Sequence, residues 1–222
     1  MSKSRGNAVN PDEVVEELGA DSLRLYEMFM GPLEQTKPWQ TSGMQGARRF
    51  LDRVHALGTR ELTSAAMDLE TLKLVHKTLK KVGEDIEGLR FNTAISAMMI
   101  LTNRLTALDA PPREAVEKLV LMLSPFAPHL AEELWEQLGH PPAIANVEWP
   151  KYDPALCIDE TIEIAVQVNG KVRGRITLAR DANEEQARDA ALDDANVKRF
   201  IGDKNVKKVV YVPGRILNLI VS

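Results

Sequence analysis

The chain has 222 residues, of which 44% are hydrophobic and 27% are charged, and its formal net charge is −4. This composition is typical of a protein with a buried core, and no apolar run approaches the roughly 20 residues that a membrane helix needs. The single cysteine, Cys157, excludes an internal disulfide and a cysteine-rich metal site. These features predict a cytoplasmic protein, and the acidic balance argues weakly against a general nucleic-acid binder.

The first 40 residues contain two predicted helices and a connector. Asn10 is a suitable N-cap with Pro11 at the first helical position, and Gly19 is suited to end that helix. Asp21 is the expected N-cap of the second helix. Trp39 lies in the connector, where an aromatic residue is expected to pack on neighbouring helices, although stacking on a nucleotide is an alternative.

Apolar residues recur at three- and four-residue steps through most of residues 41–139. Gly58, Pro111-Pro112 and Gly139 interrupt this periodicity and mark helix ends. The pattern predicts five amphipathic helices with short connections, which is typical of an antiparallel helix bundle. The apolar series of these helices are Met44–Val54, Leu69–Val82, Phe91–Leu108, Val116–Leu123 and Leu130–Leu138.

Residues 140–157 are rich in proline and have no helical period, which predicts a linker or an extended surface strap. The apolar period then changes to two, and Asn169-Gly170 predicts a hairpin with a type I′ turn. The remaining predicted elements are helices 184–192 and 197–201 and strands 206–212 and 216–221. The predicted fold is therefore mainly α, with a helix bundle followed by a small α+β domain over residues 158–222.

Basic side chains are the first candidates for a functional site. Residues 158–222 hold 11 Lys and Arg against 10 Asp and Glu, and Lys171, Arg173 and Arg175 occupy alternate positions of a predicted strand. All three are therefore expected on one face of the sheet, about 6–7 Å apart, which is close to the spacing of phosphates along a nucleic-acid strand. With no aromatic residue beside them in the sequence, contact with the nucleic-acid backbone is favoured over contact with bases. A solvated strand face is the alternative.

Two further basic groups are candidates for nucleic-acid contacts. The first lies in the second predicted hairpin and the loop before it, and consists of Lys204, Lys207, Lys208 and Arg215. Lysines at a sheet edge also protect against aggregation, so this group has a non-functional interpretation too. Arg48 and Arg49, with Arg53 one turn further along a predicted helix, are the second group. Such residues form surface salt bridges more often than RNA contacts.

No metal site is predicted from the sequence. The four histidines have neither the spacing of metal ligands nor a place in a recognisable catalytic triad. Cys157 has no activating neighbour in the sequence, which favours an ordinary thiol.

Several motifs resemble those of class I aminoacyl-tRNA synthetases. The run Met1-Ser2-Lys3-Ser4-Arg5-Gly6-Asn7, with Asn10-Pro11 and Gly19-Ala20-Asp21 after it, is similar to the end of their catalytic domain. The family signature there is Lys-Met-Ser-Lys-Ser, of which the leading lysine is absent here. A closer resemblance, to the bacterial-type leucyl enzymes, lies in the segments Glu27–Trp39, Phe91–Ser96, Ser124–His129 and Val166–Gly174. The chain is thus identified as a C-terminal part of such an enzyme that begins within the signature loop.

The resemblance implies that Lys3 is the catalytic lysine of this loop, where a cation stabilises the negative charge that develops on ATP phosphates as leucyl-adenylate forms. Met1, Ser2 and Ser4 are then expected to bind ATP together with Lys3. The family's other ATP-binding signature, His-Ile-Gly-His, does not occur in this sequence, nor does its editing domain. The fragment alone is therefore not expected to aminoacylate or to hold a cofactor, since ATP with Mg²⁺ belongs to the whole enzyme.

The same resemblance implies a division of the chain into four parts. Residues 1–40 would hold the end of the catalytic domain, with the signature loop and a tRNA stem-contact region, and 41–139 the anticodon-binding-type helical domain. Residues 140–157 would be a linker and 158–222 a C-terminal tRNA-binding domain. The implied partner is tRNA(Leu), with leucine and ATP used by the whole enzyme only. That enzyme is expected to be a monomer that binds neither DNA nor membranes.

Three alternatives remain open at the level of the sequence. The first keeps the family but changes the amino acid to isoleucine or valine. The second is a stand-alone RNA-binding module, and the third is a helical interaction protein whose basic strands are simply solvated.

Overall fold

The computed structural model describes residues 9–32, 34–202 and 204–222. The chain divides into two compact units, Met1–Cys157 and Ile158–Ser222. The first is helical and is called the helical unit below, and the second contains the only sheet found among the described residues and is called the sheet unit.

The five predicted bundle helices are confirmed in the helical unit. They pack around a core of buried side chains that includes Val54, Leu79, Met98, Leu119 and Leu134. The apolar periodicity of the sequence thus corresponds to the buried faces of these helices. Their bounds are α3 (Thr41–Gly58), α4 (Leu69–Glu87), α5 (Phe91–Thr106), α6 (Arg113–Leu123) and α7 (Pro128–Gln137).

Two shorter helices precede the bundle, α1 (Pro11–Leu18) and α2 (Ala20–Phe29). The predicted ends of α1 are confirmed, because the Asn10 side chain accepts a hydrogen bond from the backbone N–H of Asp12 and Gly19 follows with a φ of +88°. The predicted packing of Trp39 is also confirmed, since its ring meets that of Tyr26 edge-on with 5.1 Å between centroids.

The expectation that Asp21 caps α2 is wrong. Gly19 is the N-cap of α2, and Asp21 lies inside the first turn of that helix. Its carboxylate instead accepts hydrogen bonds from the backbone N–H of Leu130 at 2.8 Å and from Nδ1 of His129 at 2.8 Å. Asp21 therefore satisfies the N-terminus of α7, a helix more than a hundred residues away in the sequence.

The corner between α4 and α5 is built around a buried carboxylate. The Asp85 side chain has no solvent exposure, and it accepts hydrogen bonds from Lys81, Arg90 and Thr93. Burial alone would raise the pKa of Asp85, but these hydrogen bonds outweigh burial and hold the pKa below its ordinary value of 3.8.

Residues 140–157 form a strap that contacts the bundle at defined points. The Glu132 carboxylate accepts hydrogen bonds from the backbone N–H groups of Ala143 and Ile144, and the N–H of Asp153 donates to Nδ1 of His76 at 2.9 Å. Burial and the nearby charge of Lys118 lower the pKa of His76, which keeps Nδ1 available as an acceptor. Two 3₁₀ turns lie in the strap, Ile144–Asn146 and Pro154–Cys157.

The sheet unit has four strands and two helices, as the sequence predicts. The strand order is β2-β1-β4-β3, in which β1 and β4 are parallel and the other neighbours antiparallel. Asn169 and Gly170 have φ angles of +51° and +78°, which agrees with the predicted type I′ turn. The elements are β1 (Thr161–Val168), β2 (Lys171–Ala179), α8 (Glu184–Asp193), α9 (Ala195–Ile201), β3 (Val206–Val212) and β4 (Ile216–Val221).

Helices α8 and α9 cover one face of this sheet. The core between them contains Ile164 and Val166 of β1, Leu217 and Leu219 of β4, and Val197 of α9. The opposite face has no covering element among the described residues of the unit, and it is called the open face below. Among the described residues no helix is long and apolar enough to span a membrane.

Candidate nucleic-acid interface

The predicted catalytic and ATP-binding residues, Met1, Ser2, Lys3 and Ser4, lie outside the described residues. The basic residues predicted to bind tRNA are all described, and they fall into three places: strand β2, the second hairpin, and helix α3.

The prediction that Lys171, Arg173 and Arg175 share one face of the sheet is wrong. Val166 of β1 pairs with Gly174 and Gln167 pairs with Val172, so that Arg173 has no partner opposite it. This extra residue is a β-bulge, and it shifts the alternation of side chains along β2 by one position. Residues paired across two strands point to the same face of the sheet. Lys171 pairs with the buried Val168 and Arg175 pairs with Ala165. Because Val168 and Ala165 are three residues apart on β1, Lys171 and Arg175 lie on different faces.

Arg173 contacts an aromatic ring that the sequence does not place beside it. Its guanidinium carbon lies 3.9 Å from the centroid of the Phe200 ring, in the last turn of α9. The absence of a side chain at Gly174 allows α9 to lie close to β2. A Cβ at this position would come within 2.8 Å of Val197 and 2.9 Å of Asp194, which is too close for a real contact. The expectation that no aromatic residue accompanies the β2 cations is therefore wrong. A Phe that follows Lys198 and Arg199 near the end of a predicted helix is the sequence signal for it.

The three β2 cations also differ in their partners. Arg175 donates to the Glu163 carboxylate at 2.8 Å across β1 and β2, so its charge is compensated within the sheet. Neither Lys171 nor Arg173 has an ion pair with any carboxylate among the described residues. These two cations are free to attract an anion, whereas Arg175 would first have to leave Glu163.

The second hairpin contains another bulge. Val206 pairs with Val221 and Lys208 with Ile220, which leaves Lys207 as the extra residue. Lys208 shares the open face with Ile220, while Lys204 precedes β3 and Arg215 lies in the β3–β4 turn. None of the four basic residues of this group forms an ion pair within the described part of the chain.

The open face of the sheet combines two of these cations, Arg175 and Lys208, with exposed apolar side chains. Val172 of β2 is 58% exposed, and β3 and β4 add Val210, Val212 and Ile220, which are 37–40% exposed. Apolar atoms next to cations suit a partner that offers both flat apolar groups and negative charge, as nucleic acid does.

The arginines of α3 are used differently. Arg48 donates to the Asp52 carboxylate at 2.8 Å and to the carbonyl of Leu18 at 3.1 Å, and Arg53 donates to Asn103 at 2.6 Å. These contacts join α3 to α1 and α5. Arg49 is exposed and has no ion pair among the described residues, so the structure does not bring the three together as one cationic site.

A groove of about 550 Å³ lies beside Arg48 in the helical unit. Its polar lining includes Asp21, Asp52 and Glu133 together with His55 and His129. Three carboxylates disfavour a phosphate ligand, because like charges repel. Within the described residues no group of three or more His, Cys, Asp or Glu is arranged to hold a metal ion. Burial raises the pKa of the Cys157 thiol, which keeps it protonated at neutral pH.

Comparison with known proteins gives a family match. Residues 68–188 match the family described as the anticodon-binding domain of tRNA ligase. This match begins at the start of α4, runs through the rest of the bundle and the strap, and ends within α8 of the sheet unit.

The similar curated proteins are leucine–tRNA ligases. The chain is 58% identical to that of Sorangium cellulosum over all of its length and 26% of the relative's. It is 51% identical to those of Rhodopirellula baltica and Bdellovibrio bacteriovorus, again over the whole chain, and covers 24% and 28% of them. The chain thus spans about a quarter of the length of these relatives.

A solved structure of similar fold is the agnB2 LeuRS of Agrobacterium radiobacter K84, crystallised as a ternary complex with tRNA and LeuAMS. It is 33% identical to the chain with a TM-score of 0.77, and the similarity covers the whole chain and 31% of that protein.

Proposed function

The chain belongs to the family of anticodon-binding domains of tRNA ligases, and we propose from this membership that it binds tRNA, with the sheet unit as a main contact surface. It corresponds to the C-terminal anticodon-binding region of leucine–tRNA ligases. The isoleucyl, valyl and stand-alone alternatives are not favoured, because the similar curated proteins described above are all leucine–tRNA ligases.

One observation carries the proposal for the sheet unit: six of its basic side chains have no carboxylate partner. The six residues of this set form no ion pair among the described residues, although the unit contains almost as many acidic as basic groups. Uncompensated cations attract phosphate and release its counterions, which drives binding to nucleic acid. The set consists of Lys171, Arg173, Lys204, Lys207, Lys208 and Arg215.

The whole enzyme would use this surface to hold tRNA(Leu) while leucine is activated by ATP with Mg²⁺ and transferred from leucyl-adenylate. In this proposal the enzyme acts as a cytoplasmic monomer with no DNA substrate. The signature-loop lysine Lys3 would stabilise the charge on the ATP phosphates, and Met1, Ser2 and Ser4 would bind the nucleotide. Aminoacylation would need parts of the enzyme other than these residues, whose own contribution would be tRNA binding.

The test is fluorescence anisotropy of labelled tRNA(Leu) with the full chain over a series of salt concentrations. We expect the logarithm of the association constant to fall linearly with the logarithm of salt concentration. The double variant Lys207→Gln/Lys208→Gln should reduce the slope by about 1.5 and the affinity at 0.1 M salt by roughly tenfold or more.

The matched control is Lys80→Gln/Lys118→Gln in the helical unit, where each lysine already pairs with a glutamate four residues away. This variant removes the same formal charge but should change the affinity by less than about threefold. Absence of salt-dependent binding by the unaltered chain, or an equal loss in the control, would show that the sheet unit is not the tRNA surface.

A further inference from the structure

Arg173 differs from the other basic residues of the sheet unit in having a partner that fixes its position without neutralising its charge. The guanidinium carbon lies 3.9 Å from the centroid of the Phe200 ring. The cation is attracted to the negative face of the ring, and this contact restricts a side chain that is otherwise flexible. The charge itself remains available to a ligand.

The guanidinium also keeps its hydrogen-bonding capacity. An arginine has five N–H donors in a fixed planar arrangement that matches the oxygens of a phosphate. Among the described residues Arg173 donates none of them to a protein acceptor and forms no ion pair. Asp194 lies beside the same part of β2, but its carboxylate caps α9 by accepting from the backbone N–H of Val197 at 2.9 Å.

The backbone explains why this pair forms. The bulge places Arg173 outside the regular alternation of β2, and the absence of a side chain at Gly174 lets α9 approach the strand. Phe200, which is 44% exposed, is then held over the strand rather than in the core. Two exposed cations lie near the pair in the sequence, Lys171 two residues before Arg173 and Arg199 next to Phe200.

We infer that Arg173 binds a phosphate of the RNA backbone and that Phe200 is the positioning residue that orders its guanidinium beforehand. This inference rests on the proposed function, since it names the contact by which the sheet unit would hold tRNA. The ligand is the phosphodiester group, and the role of Phe200 is indirect, through Arg173. Ordering an arginine before binding increases affinity, because less side-chain entropy is lost in the complex.

The experiment is a double-mutant cycle on the full chain, measured by anisotropy with labelled tRNA(Leu) as a function of salt. Arg173→Gln removes one phosphate contact, so the salt slope should fall by about 0.8 and the affinity at 0.1 M salt by about fivefold. Phe200→Leu keeps the charge but not the aromatic face, and should lower the affinity by about two- to fivefold. In the Arg173→Gln background, Phe200→Leu should have no further effect.

Two controls separate positioning from a general structural effect. Phe200→Tyr keeps the ring and should restore the affinity of the unaltered chain, while Phe200→Leu and Phe200→Tyr should melt at similar temperatures because the position is exposed. Arg175→Gln is the matched arginine control, since that guanidinium is already paired with Glu163. It should reduce the affinity by less than twofold.

The possible outcomes test this inference separately from the proposed function on which it rests. If the unaltered chain does not bind tRNA(Leu), the proposed function fails. If it binds with a normal salt dependence but Arg173→Gln matches Arg175→Gln, the function stands and the role of Arg173 is refuted. If the effects of Arg173→Gln and Phe200→Leu simply add, Phe200 contacts the RNA directly, for example by stacking on a base, and its positioning role is refuted.

Discussion

Asp85 is a carboxylate with no solvent exposure, and three side chains compensate for its burial. Lys81 and Thr93 donate to one oxygen at 2.5 Å, and Arg90 donates to the other at 2.8 Å. Hydrogen bonds to a charged group contribute more than neutral ones, and an ion that loses its partners inside a protein is costly. This corner therefore depends on Asp85 being ionised.

We expect Asp85→Asn to lower the free energy of unfolding by about 2–3 kcal/mol at pH 7, because the amide cannot replace the charge-assisted bonds to Lys81 and Arg90. Urea unfolding measures the effect. Glu84→Gln is the control on the same helix, because the Glu84 side chain is half-exposed and its carboxylate oxygen lies 3.9 Å from Nζ of Lys80. This substitution should change the free energy of unfolding by less than about 0.5 kcal/mol. Equal effects of the two substitutions would contradict this role of Asp85.

The pKa of Asp85 gives the same substitution a pH dependence. The hydrogen bonds lower the pKa of the folded state below 3.8, so their contribution is complete above the unfolded-state pKa and is lost as pH falls through the folded-state pKa. The stability difference between the unaltered chain and Asp85→Asn should be constant from pH 5 to 7 and shrink below about pH 4. If this stability difference grew on acidification, the pKa of Asp85 would be raised by folding and not lowered.

At the scale of single elements, α7 depends on a side chain from α2. The Asp21 carboxylate accepts a hydrogen bond from the backbone N–H of Leu130 at 2.8 Å. This N–H lies in the first turn of α7, where backbone N–H groups have no partner within the helix. The N-cap position of α7 is Ala127, whose side chain cannot do this. The contact therefore couples the helix before the bundle to the last helix of the bundle.

Replacing Asp21 by alanine should destabilise the helical unit by about 1–2 kcal/mol, the usual cost of removing a helix cap. Hydrogen exchange should accelerate at Leu130 and its neighbours in α7 more than at Leu119 in α6. The control is Asn10→Ala, which removes the cap of α1, a helix without buried residues. It should affect exchange in α1 alone, and slower or unchanged exchange at Leu130 in Asp21→Ala would exclude the tertiary cap.

These elements also show what the sequence alone can predict. Helix and strand bounds follow from apolar periodicity and from local signals such as Asn10 and Gly170, because those interactions lie within a few residues. The partner of Asp21 and the contact between Arg173 and Phe200 depend on packing between distant segments. The bulge at Arg173 changes the face of each later residue without altering the pattern of residue types, so a strict period of two misassigns the β2 cations.

On the scale of the whole molecule, each unit buries its own apolar side chains. The core of the sheet unit lies between the sheet and its two helices, and its side chains all come from residues 162–221. Domains of about 55–65 residues can fold alone when their core is complete, although their stability is small. The sheet unit, Ile158–Ser222, is of this size.

We therefore expect residues 158–222, produced alone, to fold and to unfold cooperatively on heating, as followed by circular dichroism. Leu219 has no solvent exposure, so Leu219→Ala should cost about 2–5 kcal/mol, enough to unfold most of so small a unit. Its neighbour Ile220 lies on the open face and is 37% exposed, and Ile220→Ala should leave the transition within a few degrees of the unaltered fragment. If the fragment is unfolded, or if both substitutions have the same effect, the core of the sheet unit is incomplete without other residues. A folded fragment would also allow the salt dependence of tRNA binding to be measured on the sheet unit by itself, because its basic residues would keep their native arrangement.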